Sequence, residues 1–247
     1  MILTFCLDVL TFASYDGLNC EEGDVVHDFE ILRADIELND LLSSINEAHT
    51  EVSSACHGSY HANFVACRAG KILADLHFNN RTVEVGKIAG LLHDIGCISG
   101  KNNHAIKSSQ MCEKFLCKTN LTSIEKDVII QAIADHSDGN DIKSVVGAAL
   151  LIADKTDLSK ERILDTTDLN NYHKNLLEVE NVDVSIQGSD IIINFVASEK
   201  FSVTVVHELW SKAFSIPAKA AKHLGCSAIF MVNGLRTNGW IISLGDL

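Results

Sequence analysis

A single proline, Pro217, in a chain of 247 residues leaves nearly all of it free to run as helix, because proline is the residue that most effectively stops one. The apolar residues use that freedom. From Phe29 to Leu164 they recur at helical spacing, and helix-stopping residues fall where the pattern breaks. The spacing predicts helices over 28–48, 57–76, 82–95, 104–117, 122–136 and 144–164. Gly96 and Gly100 close the third, and Asp138-Gly139-Asn140 closes the fifth. Thr122 followed by Glu125 reads as a capping box at the start of the fifth.

Beyond Tyr172 the pattern changes. Residues 182–186 alternate, 187–189 turn, and 191–196 form an apolar run, which together predict a hairpin. A helix over 206–224, closed by Gly225, and a strand over 227–232 complete the tail. Pro217 predicts either a kink in that helix or a second helix beginning after Phe214. The expected fold class is therefore mainly α, a helical bundle followed by a small α+β C-terminal domain. The expected division is an N-terminal extension over 1–27, a helical domain over 28–175 and the α+β unit over 176–247.

Hydrophobic residues make up 47% and charged ones 21%, a globular balance. The net charge of −13 and the lack of any Lys/Arg cluster argue against a nucleic-acid polymer as partner. Eight cysteines without a C-x-x-C pair read as small buried hydrophobes of a reducing cytoplasm. The apolar opening from Met1 to Ala13 has no preceding Lys or Arg, contains Asp8 and is too short to span a bilayer. The expectation is a cytoplasmic protein with no membrane partner.

Polar residues on apolar helix faces carry the chemistry. His61 lies one turn before Val65, on the stripe that includes Phe64, Ile72, Leu73 and Leu76. Ile129, Ala132 and Ile133 lead at helical spacing to His136, and Val146 and Leu150 lead to Asp154. His93-Asp94 follows the apolar run 89–92, and His104 opens the next helix. Any one of these reads equally as a buried histidine with a backbone partner, or as Asp154 paired with a lysine. Together, four imidazoles and two carboxylates on inward faces are the side chains of helical dinuclear metal sites.

His61, then Leu91-Leu92-His93-Asp94-Ile95-Gly96, then Ala153-Asp154-Lys155 resemble the H…HD…D signature of the HD-domain metal-dependent phosphohydrolase superfamily. Residues 57–65 are similar to that family's H-x-x-x-H-x-x-x-V opening, and the likeness extends over about 50–165. The tail is similar to the small domain of some bacterial members. The resemblance implies an HD-type bundle in which His61, His93, Asp94 and Asp154 hold a first divalent metal. Asp94 would bridge to a second, held by His104 and His136. The ligand chemistry suits Fe, Mn, Co, Ni or Zn.

The implied reaction is hydrolysis of a phosphate ester or of a nucleotide or dinucleotide polyphosphate by a metal-activated hydroxide. Asp94 is the central catalytic candidate. Lys155, beside a ligand, joins it, as does Asp157, which reads as orienting a ligand histidine or a water and equally as a cap or a partner of Lys160. Lys101, Lys107 and Arg162 are candidates to grip a small phosphorylated substrate. Solvated surface charge is an equal reading for Lys107 and the favoured one for Arg162. Cys97 stands where many members have a phosphate-contacting lysine, and Lys101 is the nearby substitute. A di-iron oxygenase of the same fold uses a similar ligand set, although the short Asp94-to-His104 spacing favours hydrolysis. A non-catalytic sensor is the third reading. Either the apolar opening or the tail strand could cover a second copy in a homodimer.

Overall fold

The computed structural model describes residues 27–48, 55–164 and 169–237. The apolar opening, Cys6, Cys20 and nearly all of the expected 1–27 extension lie outside the described residues.

Among the described residues nine helices come first: α1 (Asp28–Arg33), α2 (Ile36–Ala48), α3 (Ser59–Asp75), α4 (Asn80–Leu92), α5 (His104–Met111), α6 (Glu113–Leu116), α7 (Ser123–Ala134), α8 (Val145–Lys155) and α9 (Asn171–Leu176). The hairpin β1 (Val179–Gln187) and β2 (Asp190–Ala197) follows, then α10 (Val203–Trp210), α11 (Lys212–His223), β3 (Ser227–Val232) and β4 (Leu235–Arg236). The fold is mainly helical with a small four-stranded sheet.

Local chemistry explains where the helices differ from expectation. The first predicted helix is two, because the Asp35 carboxylate accepts from the Leu38 backbone N–H and starts a new one. Thr122 and Glu125 form the capping box reciprocally. The sixth helix ends at Lys155 instead of Leu164, and the chain turns back through a short 3-10 segment at Lys160–Arg162. Pro217 neither starts nor ends a helix. It lies inside α11, its ring buried beside Ile216, Ala220 and Ala221, and that burial outweighs one missing backbone hydrogen bond. Among the described cysteines, all free, Cys67 on α3 and Cys117 at the C-terminal cap of α6 are exposed.

The centre of the bundle is the packing of α3 on α4, with α8 against both. It is close because of glycine. A Cβ at Gly90 would stand 2.6 Å from Ala66 Cα and 2.7 Å from Ala66 N, so the two backbones nearly touch. That approach brings His61 on α3 beside His93 at the end of α4. Gly90→Ala is expected to cost about 1–3 kcal/mol, as overpacking against rigid backbone does. Urea denaturation measures it, and a change below about 0.5 kcal/mol, the size of a neutral surface substitution, would contradict the contact.

The strand order is β1-β2-β3-β4. The hairpin is antiparallel, β2 and β3 are parallel from Asp190↔Ser227 to Phe195↔Val232, and β4 returns antiparallel. Helices α10 and α11 make the crossover that a parallel pair requires. Ile191, Ile192 and Ile193 are all buried, so β2 is covered on both faces. Helix α11 packs on β3 and also on α8, and Arg68 of α3 donates to Thr156 O at 2.7 Å and to Val182 O of β1. The sheet and the bundle thus share a core. Among the described residues, no helix is long and apolar enough to cross a membrane.

Candidate metal centre

Helix ends deliver the whole polar cluster. His61 projects from the first turn of α3, His93 caps the C-terminus of α4, and Asp94 follows it at the entry to the Ile95–Ser99 3-10 turn. His104 is the first residue of α5, His136 lies just past α7, and Asp154 is in the last turn of α8. The 3-10 turn is pressed onto α5 at Gly96, where a Cβ would sit 2.5 Å from both His104 O and Ser108 N. No other side chain permits that approach, which carries His104 toward Asp94.

Hydrogen bonding decides which ring nitrogens carry protons. Nδ1 of His93 faces Gly90 O at 2.7 Å, Nδ1 of His104 faces Lys101 O at 2.9 Å and Nδ1 of His136 faces Ile133 O at 2.6 Å. A carbonyl only accepts, so each Nδ1 is the N–H and each Nε2 of a neutral ring is a lone pair. His61 Nδ1 lies 2.7 Å from Asp157 Oδ2, again an acceptor, with Arg162 Nη1 also 2.5 Å from that nitrogen. Yet His104 Nε2 and His136 Nε2 are 3.1 Å apart, and His61 Nε2 and His93 Nε2 are also 3.1 Å apart. His104 and His136 thus set two acceptors face to face, and a proton or a cation must lie between them, whereas at the His61–His93 pair Arg162 Nη1 also stands 3.2 Å from His61 Nε2.

The carboxylates complete this arrangement. Asp94 Oδ1 is buried without a hydrogen-bond partner and lies 3.4 Å from His104 Nε2 and 3.3 Å from His136 Nε2. Its Oδ2 accepts from His57 Nδ1 at 2.7 Å and stands 3.3 Å from His93 Nε2 and 3.6 Å from His61 Nε2. Asp154 Oδ1 is 3.2 Å from His61 Nε2 and 3.8 Å from His93 Nε2. One group, of His61, His93, Asp154 and Asp94 Oδ2, therefore adjoins a second, of His104, His136 and Asp94 Oδ1. An oxygen and nitrogen donor set of this kind, with an orphaned buried carboxylate oxygen, fits divalent cations. Triplets that could share one ion include His61, His93 and Asp154, and also Asp94, Cys97 and His104.

Burial pushes the Asp94 carboxyl up, but the surrounding imidazoles, His93 and His57 foremost, hold it well below the ordinary range. Burial likewise opposes ionisation of Asp154, and the adjacent Lys155 ammonium with His61 keeps it far below the usual value. His57 is pushed down to about 4 by burial, against the pull of Asp94. It is therefore neutral near pH 7.

The remaining candidates fall in different places. Asp157 is buried, and Arg162 Nη1 donates to its Oδ2 at 3.1 Å, close to the His61 ring. The favoured reading of Arg162 as solvated surface charge is corrected: its side chain is 8% exposed, because the chain folds back after α8. Lys155 pairs with Asp154 Oδ2. Lys101, His57, Asp157 and Arg162 line a cavity of about 690 Å³. Lys107 does not line it, and its ammonium donates to Ser99 O at 2.9 Å. His57 was given no role by sequence reasoning. The signal was present in its place one turn ahead of His61, but only the fold sets it against Asp94.

Residues 58–171 match the family model of the HD domain. Ribonuclease Y of Enterococcus faecalis (strain ATCC 700802 / V583) is 27% identical over 172 residues, which are 68% of this chain and 31% of that protein. Ribonuclease Y of Oceanobacillus iheyensis is 26% identical over 152 residues, 60% of this chain and 27% of its own length. The chain thus spans about a third of the length of these curated relatives or less. The crystal structure of a predicted HD superfamily hydrolase from an uncultured Thermotogales bacterium aligns with a TM-score of 0.40 at 22% identity, over 53% of this chain and 73% of that one.

Proposed function

We propose, from the match of residues 58–171 to the HD domain, that this chain is a metal-dependent phosphohydrolase acting on a small phosphate ester or anhydride. In this reading His61, His93, Asp154 and Asp94 would hold one divalent ion, and His104, His136 and Asp94 would hold another. The observation that carries it is the 3.1 Å contact between His104 Nε2 and His136 Nε2, both acceptors, beside the buried and unpartnered Asp94 Oδ1. Such ions, when bound, acidify a water toward neutral pH and stabilise charge on phosphoryl oxygens.

The protein's own residues have distinct tasks. Asp157 holds the His61 Nδ1–H, which fixes that ring with its Nε2 inward. The Gly90, Lys101 and Ile133 carbonyls do the same for the other three rings. Lys155 neutralises the outer oxygen of Asp154. Arg162 and Lys101, on the cavity wall, are the cations a phosphate would meet. Two divalent ions against Asp94 and Asp154 leave a local excess of positive charge in a chain of net charge −13. That combination draws a small anion to the site while the surface repels a polyanion. The relatives' name, ribonuclease, adds the phosphodiester to the bonds worth assaying.

The test is metal analysis of the purified protein followed by turnover of p-nitrophenyl phosphate under nitrogen. Two divalent ions per chain and chelator-sensitive hydrolysis are expected. Metal held at a hundred times its Kd stabilises by about 2.7 kcal/mol, so chelation should lower Tm by roughly 5–10 °C. Turnover that survives chelation would overturn the assignment. So would a strict requirement for iron with oxygen uptake, which belongs to an oxygenase.

A further inference from the structure

A sulfur atom stands among the nitrogen and oxygen donors of the polar cluster. Cys97 is the central residue of the Ile95–Ser99 3-10 turn and is fully buried. Its backbone N–H donates to Asp94 O at 2.8 Å, the i to i+3 bond of such a turn. Side chains three residues apart in this geometry eclipse, so Asp94 and Cys97 leave the backbone on the same side. The turn is fastened to α5, because Gly96 N donates to Ser108 Oγ at 2.9 Å beside the close approach of Gly96 to His104 O.

As a result Cys97 Sγ, a carboxylate oxygen of Asp94 and a ring nitrogen of His104 all lie within 4.8 Å of one another. Asp94 Oδ1, buried and without a hydrogen-bond partner, is an independent sign that a cation belongs here. Other described cysteines are placed differently. Cys112 Sγ donates to Ser109 O at 3.1 Å, Cys56 Sγ accepts from Asn46 Nδ2 at 3.2 Å, and Cys67 and Cys117 are exposed. Burial, with Asp94 beside it, pushes the Cys97 thiol up. A bound divalent cation reverses that preference, since a coordinating thiol loses its proton to solvent as the metal–sulfur bond forms.

We infer that Cys97 Sγ is a ligand of the second ion, together with Asp94, His104 and His136, so that this position takes a thiophilic metal such as zinc or cobalt in preference to manganese. The group of His61, His93 and Asp154 offers nitrogen and oxygen, which suit manganese as well. The inference rests on the metal-centre part of the proposed function and not on the reaction assigned to it.

Cobalt(II), titrated under nitrogen into the chelator-treated and dialysed protein, tests it. Thiolate bound to cobalt gives an intense near-ultraviolet charge-transfer band that nitrogen and oxygen ligands do not give, and the band is expected as one of two cobalt ions binds. Cys97→Ser should abolish it and weaken zinc at one position at least about tenfold, the lower end of what losing an outer partner of a metal ligand costs. Cys67→Ser and Cys117→Ser, which alter exposed thiols, should keep the band. Zinc K-edge X-ray absorption of the parent, which needs no variant to fold, should show a sulfur neighbour. Two bound cobalt ions without the band would overturn the inference and leave a nitrogen and oxygen centre standing. A band that persists in a folded Cys97→Ser variant would overturn it too. Failure of the parent to bind cobalt or zinc at all would bring down both this ligand and the proposed metal centre.

Discussion

Asp94→Asn is expected to abolish stable binding of the second metal and to lower turnover by roughly a thousandfold or more, the scale set by losing a group that stabilises transition-state charge. Asp94 is the only carboxylate among the described residues whose two oxygens face both histidine groups. Oδ1 lies 3.3–3.4 Å from His136 and His104, and Oδ2 lies 3.3 Å from His93. Asparagine keeps the shape but replaces one oxygen by an NH₂, which donates to a ring lone pair and cannot bind a cation. Whichever way the amide turns, one group loses its oxygen. Metal analysis of the variant should find at most one ion per chain, and circular dichroism in chelator should find the fold retained. A variant that keeps two ions and parental turnover would refute the bridging role.

The second large effect is on stability and lies on the far side of the bundle. Arg81 of α4 donates Nε and Nη2 to the two oxygens of Glu125 on α7, the second at 2.9 Å, and Nη1 to Asp28 Oδ2 of α1 at 2.8 Å. Both acids are buried, and each also serves a backbone: Asp28 accepts from Asn120 N at 2.7 Å and Glu125 from Thr122 N at 2.6 Å. Arg81→Met should therefore cost about 3 kcal/mol, because it strands two buried carboxylates without their cation. Since α4 carries His93 and α7 leads to His136, the same ion network holds two cluster residues in register.

The pH dependence has a definite sign. Burial pushes the Glu125 carboxyl up, but Arg81 holds it below its ordinary 4.5. The stability this contributes is present above about pH 4.5 and is lost as pH falls through the lower folded value. Without Arg81 only the Thr122 hydrogen bonds still oppose the burial, so the carboxyl rises and protonation relieves the variant. The deficit measured by urea denaturation should accordingly be large at pH 7 and should shrink toward pH 4. A deficit below about 1 kcal/mol at pH 7, the scale of an exposed ion pair, would contradict the burial argument, and a pH-independent one would contradict the assignment to Glu125.

Much of this architecture was legible before any coordinates. The apolar lead-ins of 129–133 and 146–150 put His136 and Asp154 on inward faces, and the capping residues of α7 were readable because capping is local chemistry. The run of α11 through Pro217 was not, since what carries that helix past the ring is burial against other elements. The length of α8 was overestimated for the same reason in reverse. Residues 156–162 keep a helix-like composition, yet the chain turns back there, with Thr156 held by Arg68 and Arg162 by Asp157.

What the order of residues determined by itself was that most of the chain is helical, the faces on which the histidines and aspartates would lie, and the family to which the pattern is similar. These follow from periodicity and capping, which act over a few residues. Only the tertiary structure decided that Nε2 atoms separated by 32 residues would meet at 3.1 Å, that His57 would bond Asp94, and that α9 and α10 would close one side of the cavity. Those distances depend on how closely backbones approach at Gly90 and Gly96, and contact between distant segments is settled by packing of the whole core.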